Sequence, residues 1–137
     1  GVQTCALPIS MNAQPPSILL VEDNEVNRAM LVRRLERAGH RVVTANDGEA
    51  ALDAMHTHRP AVVLMDMNLP VKDGWTACKE AKNDAQISHI PIIALTAHAM
   101  EEDKAKALAA GCSDYATKPV DFPDLLEKIA GWIDANA

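Results

Sequence analysis

Five short apolar runs, each followed by a stretch with helical spacing, constrain this chain more than any other feature. The runs are "SILLV" at 17–21, "RVVTA" at 41–45, "AVVLMDM" at 61–67, "PIIALTA" at 91–97 and "DYATK" at 114–118. The first, third and fourth are apolar nearly throughout, the pattern of strands buried on both faces. The second is less apolar and the fifth is brief, which suits the edges of a sheet. After the first run, Asn24 or Asp23 offers an N-cap, and Asn27, Leu31, Leu35 and Ala38 recur on one helical face up to Gly39. Asp47 can cap "GEAALDAMHTH", a helix reaching about His58 before Pro60. A helix after the "LPVKDG" loop runs to about Asn83, and "MEEDKAKALAAG" makes another that Gly111 stops. Asp121 caps the last helix, whose apolar face is carried by "LLEKIAGWI".

Strand followed by helix, five times, predicts an α/β fold: a doubly wound, five-stranded parallel sheet with helices on both faces and right-handed crossovers. With 137 residues the chain makes one domain. Its 48% hydrophobic residues supply a core, and with 3% aromatics that core is aliphatic. A formal net charge of −6 argues against a binder of nucleic-acid phosphates, which needs a basic surface. No apolar run approaches the roughly 20 residues of a membrane helix.

Cys5, Cys78 and Cys112 are odd in number and form no C-x-x-C, so they read as plain thiols in a reducing cytoplasm. None of the five histidines stands at a recognisable metal-ligand spacing, although His56 and His58 flank one residue at a predicted helix end. Residues 1–13 read as a disordered N-terminal extension and 14–137 as the domain. Residues 1–10, "GVQTCALPIS", precede Met11, carry no charged side chain and read as a non-native scar.

Ligands of such sheets bind beyond the carboxyl ends of the strands. Glu22-Asp23 ends the first run, Asp66 the third, Thr96-Ala97 the fourth and Lys118 the fifth. A parallel sheet gathers them on one rim: three carboxylates, a hydroxyl and an ammonium. Each ionised carboxylate pair at about 4 Å costs on the order of 4 kcal/mol at an effective dielectric of about 20. Mg²⁺ together with Lys118 balances about −3 of charge, and an all-oxygen donor set suits Mg²⁺ better than Zn²⁺. Asp66 is then either a metal ligand only or a nucleophile that accepts a phosphoryl group. In the second case Thr96 and Lys118 are placed to contact phosphoryl oxygens.

The chain resembles the receiver domains of two-component response regulators. "VEDNEVNR" is similar to their acidic-pair segment, "VVLMDMNLPVKDG" to the phosphoacceptor segment, "PIIALTAHAM" to the switch-threonine segment and "GCSDYATKP" to the lysine segment. The resemblance runs from about Ser17 to Ile133. It implies a flavodoxin-like (βα)5 fold with strand order 2-1-3-4-5. It further implies Asp66 as phosphoacceptor, Asp23 as a direct Mg²⁺ ligand, Glu22 as a ligand through water and the backbone carbonyl of Asn68 as another. Thr96 and Lys118 become phosphoryl contacts, and Thr96 and Tyr115 the switch pair. One departure is Glu22-Asp23 where an Asp-Asp pair is usual, which lengthens the reach of the first acid.

The function implied is phosphorelay signal transduction in the cytoplasm by a phosphoacceptor switch rather than an enzyme. The phosphoryl donor is a histidine kinase or histidine phosphotransfer protein, the downstream partner is a protein, and no nucleic acid or membrane takes part. A stand-alone receiver, a relay shuttle and a piece of a hybrid kinase fit equally. A flavin binder would need a phosphate cradle where Glu22-Asp23 repels anions. A phosphatase would want a second acid where Asn68 stands. An adaptor that keeps only the fold would not need the full set of site residues.

Overall fold

The computed structural model describes residues 17–67, 69, 72, 74–96, 105, 106, 108–117 and 121–135. Residues 1–13, Asn68 and Lys118, on which expectations were placed, lie outside the described residues, as does most of the predicted helix before Gly111. The strands are β1 (Ser17–Val21), β2 (Arg41–Ala45), β3 (Val62–Asp66), β4 (Ile92–Thr96) and β5 (Asp114–Thr117). The helices with defined bounds are α1 (Glu25–Arg37), α2 (Gly48–His58), α3 (Gly74–Lys82) and α4 (Phe122–Ala135). Residues 105, 106, 108 and 109, between β4 and β5, are also helical. The third strand is one residue shorter at both ends than its apolar run, and the fourth begins one residue later than its run.

All four strand pairings are parallel, and the order is β2-β1-β3-β4-β5. Because successive side chains in a strand point to opposite faces, each central strand feeds two cores. Leu19, Val21, Val63, Met65, Ile92 and Ala94 face α2 and α3, where Ala51, Met55, Ala77 and Ala81 meet them. Ile18, Leu20, Val62, Leu64, Ile93 and Leu95 face Leu31 and Leu35 of α1 and Leu125 and Ile129 of α4. The three central strands are buried along almost their whole length, which is why they read as unbroken apolar runs. β2, paired on one side only, is buried only at Ala45.

The helix ends follow the local chemistry. Asn24 caps α1, its Oδ1 accepting from the Asn27 amide at 3.0 Å, and Asp47 does the same for α2 through Ala50 at 2.8 Å. Asp121 accepts from the Asp124 amide at 3.2 Å at the start of α4. Gly39 and Gly111, at φ +94 and +99, turn the chain where the sequence placed helix stops. Arg59, with φ 46, ends α2 without a glycine. Its guanidinium donates to the carbonyls of His56 and Gln86, and the following Pro60 disfavours a further helical residue here.

Gly74 fixes how α3 leaves the site. A Cβ there would stand 2.6 Å from the Asp66 carbonyl oxygen and 2.8 Å from Met67 Cα, so only glycine lets α3 begin against β3. Gly74→Ala is expected to lower unfolding stability by about 1–3 kcal/mol through overpacking against backbone, read as a reduced midpoint in urea at unchanged slope.

Candidate phosphoacceptor and metal site

The register of β1 against β3 sets the site. Val21 pairs with Met65, so Glu22 and Asp23 leave β1 beside Asp66, the last residue of β3. Carboxylate oxygens of Glu22, Asp23 and Asp66 all lie within 4.8 Å of one another. Glu22 is 1% exposed and Asp66 6%, whereas Asp23 is exposed. Thr96, 7% exposed, ends β4 one residue beyond Leu95, the register partner of Asp66. Of the residues predicted for the rim, the described ones therefore gather at one end of the sheet. Tyr115 lies on β5 paired with Ala94, at the edge of the sheet, half-buried.

Three ionised carboxylates this close repel by roughly 3–4 kcal/mol per pair at an effective dielectric of about 20. A hard divalent cation suits the set: the donors are all oxygen, and the exposed Asp23 leaves one side open to water and ligand. The chain also grips Glu22 directly. Its amide donates to the Ala45 carbonyl at 3.1 Å, and its own carbonyl accepts from Arg28 Nη1 at 3.0 Å. Asn27 Nδ2 donates to Glu22 Oε1 at 3.3 Å. Asn27 and Arg28 were not singled out for the site from sequence: Asn27 counted as part of the helix's inner face, yet it is exposed and turned to the carboxylate. The legible signal was position, since both lie in the first turns of a helix that starts at the acidic pair.

Lys72, in the loop between β3 and α3, was also missed. Its ammonium pairs with Glu49 of α2 at 2.9 Å and Glu80 of α3 at 2.6 Å, and these two carboxylates, Glu80 foremost, hold it above the ordinary lysine pKa. Its carbonyl accepts from the Gly48 amide at 3.0 Å, so the loop that follows Asp66 is strapped to the start of α2. No local pattern announces this, because the three residues come from three elements.

Against known proteins, a family model for the response regulator receiver domain matches residues 18–130. The chain belongs to the response regulator receiver family. It is 37% identical over 119 residues to the polar-differentiation response regulator DivK of Brucella anthropi, covering 87% of this chain and 97% of that one. The receiver domain of sensor histidine kinase PA1611 from Pseudomonas aeruginosa, solved with magnesium coordinated in its active-site cleft, is similar in structure. It shows a TM-score of 0.81 and 38% identity over 88% of this chain and 99% of that one. The receiver domain of Ssk1 from Saccharomyces cerevisiae, solved with the histidine phosphotransfer protein Ypd1, gives a TM-score of 0.84 and 32% identity, over 90% of this chain and 92% of that chain. The receiver fold and strand order expected from sequence are thus the ones observed. None of the described helices is long and apolar enough to cross a membrane.

Asn27→Ala removes the Nδ2 donor to Glu22 Oε1 and is expected to cost about 1 kcal/mol in chemical denaturation. Asn27→Asp, which replaces that donor by a like charge, is expected to cost more.

Proposed function

We propose that this receiver domain accepts a phosphoryl group on Asp66 and thereby changes which protein it binds. The observation that carries the reading is the convergence of Glu22, Asp23 and Asp66 oxygens within 4.8 Å at the carboxyl end of β3. Asp66 Oδ attacks the phosphorus of a phosphohistidine in line: an O–P bond forms, the N–P bond breaks, and the imidazole leaves and regains a proton. Mg²⁺ at this site would supply charge neutralisation for the approaching anion and the transferring oxygens. Asp23 and Glu22 would hold it with Asp66, Glu22 through water, and the Asn68 carbonyl would complete the protein ligands. Burial of Asp66 and Glu22 keeps bulk water from their inner side. Thr96 would donate its hydroxyl to one phosphoryl oxygen and Lys118 its ammonium to another.

Support for the donor as a histidine kinase or phosphotransfer protein comes from α1. This helix starts at the acidic pair and presents Val26 at 77% and Met30 at 48% exposure, large apolar side chains suited to a protein partner. The readout would pass from Thr96 to Tyr115. Around Tyr115, Lys128 donates to its carbonyl at 2.7 Å and stands 5.1 Å from the ring centroid, contacts that a movement of Tyr115 would remake. The chain acts in this reading as a switch protein in the cytoplasm, with residues 14–137 as the domain and residues 1–13 as an extension of which 1–10 are not native.

Incubation with Mg²⁺ and acetyl phosphate or phosphoramidate is expected to add one phosphoryl group, acid-stable and base-labile, seen by intact mass. Asp66→Asn removes it. An adduct that survives Asp66→Asn, or none with any donor including a cognate histidine kinase, overturns the assignment. Mg²⁺ at about ten times its Kd is expected to stabilise the fold by about 1.4 kcal/mol. That is a Tm rise of roughly 3–6 °C, and Asp23→Asn should shift the response to higher Mg²⁺.

A further inference from the structure

Away from the carboxylate rim, two sulfurs meet. Cys78 stands in the middle of α3, and Cys112 lies just ahead of Ser113 and β5. Their Sγ atoms are 3.1 Å apart, nearer than the roughly 3.5–4.0 Å of packed carbon atoms. Both are free thiols, buried in the core between the sheet and α3. Gly111, at φ +99, turns the chain from helical residues 108 and 109 toward β5, which brings Cys112 to face α3.

The pair is chemically unequal. The hydrogen-bonded contact with the Cys112 sulfur holds the Cys78 thiol below its ordinary pKa against the opposing effect of burial, and the Lys82 charge adds to the lowering. The same contact, with burial behind it, pushes Cys112 up. Lys82 is fixed in place. Its Nζ donates to the carbonyls of Ser88 at 3.1 Å and Ile90 at 3.0 Å, and its stem lies against Gly111, where a Cβ would stand 2.5 Å from Lys82 Cγ. Two sulfurs in contact beside a cation are the components of a dithiol that can close on itself, and since both are buried an oxidant reaches them through local opening of this part of the core.

We propose that Cys78 and Cys112 are an oxidative modification site, converted by hydrogen peroxide into an internal disulfide that ties α3 to the start of β5. The Cys78 thiolate attacks one peroxide oxygen. An S–O bond forms, the O–O bond breaks, and the departing hydroxide takes a proton to become water. The Cys112 sulfur then attacks the sulfenic sulfur of Cys78. The S–S bond forms, the S–O bond breaks, and the Cys112 proton leaves with the second water. The two thiols lose two electrons and two protons in all, and the peroxide is reduced to two waters. The bond would close toward the amino ends of the strands, opposite Asp66. It would therefore leave the rim chemically intact while fastening the strand that carries Tyr115.

The test uses the full chain carrying Cys5→Ser, exposed to hydrogen peroxide in the native state, then unfolded and alkylated with N-ethylmaleimide. Expected are a mass loss of about 2 Da with no thiol left to alkylate, a Cys78–Cys112 linked peptide after digestion, and reversal by dithiothreitol. The oxidised form should melt about 10 °C higher than the reduced one, as closure of a loop of this length implies. Cys112→Ala and, separately, Cys78→Ala should each abolish the mass loss and the rise in Tm, circular dichroism showing that each is folded. Two alkylatable thiols with unchanged mass, or stepwise oxygen addition without linkage, overturns the proposal.

Discussion

The parallel alignment of β1 with β3 is the constraint on which the rest depends. Both strands bury both faces, so neither can slip by one residue without exchanging its two cores. With Val21 locked opposite Met65, the chain has no choice about where Glu22, Asp23 and Asp66 emerge. The carboxylates are forced together by hydrocarbon packing some residues away. The repulsion they suffer is offset in part by what grips their backbone: the Ala45 carbonyl, Arg28 and the cap at Asn24. The apolar interior thus finances an acidic rim that would not assemble by itself.

The rim is held from three directions. α1 starts at Glu25, directly after the acidic pair, and returns Asn27 and Arg28 to Glu22. Gly74 brings α3 down onto the Asp66 carbonyl, closer than any side chain would allow. Lys72 joins the intervening loop to α2 and α3 at once. Asp66 is therefore framed by helix starts, while Asp23 keeps the side that faces solvent. Such a frame suits transfer chemistry, in which placement and electrostatics matter more than covalent participation by many groups.

Much of this was legible in the sequence because it is written in period and punctuation. Runs such as "AVVLM" announce buried parallel strands, and Asn24, Asp47 and Asp121 announce helix starts that the hydrogen bonds bear out. The acids at the strand ends were legible for the same reason: a polar residue straight after a two-faced apolar strand has only the rim to go to. The Lys72 bridge and the Cys78–Cys112 contact were not legible. Each joins residues from elements distant in sequence, and a lysine in a loop or a cysteine in a helix carries no mark of its partner. The His56–Asp84 pair, 2.8 Å apart, is a similar case: it joins the last turn of α2 to the residues just after α3, where the sequence marked only a helix end. The end of α2 near His58 was legible from Pro60, but not the left-handed Arg59 that closes it, whose side chain binds the carbonyls of His56 and Gln86.

The two tryptophans fall on opposite sides of the sheet. Trp75 packs with the α2–α3 core and lies under the Lys106 ammonium, 4.7 Å from the ring centroid. Trp132 packs with the α1–α4 core, and its indole N–H donates to Asp114 at 3.2 Å, next to Tyr115. Each indole thus sits against a charge whose displacement would alter its emission, and one reads the core on the α2–α3 side of the sheet while the other reads the core on the α1–α4 side. The protein carries its own pair of optical gauges, and single replacement of either ring by phenylalanine would let the two halves be followed separately in solution.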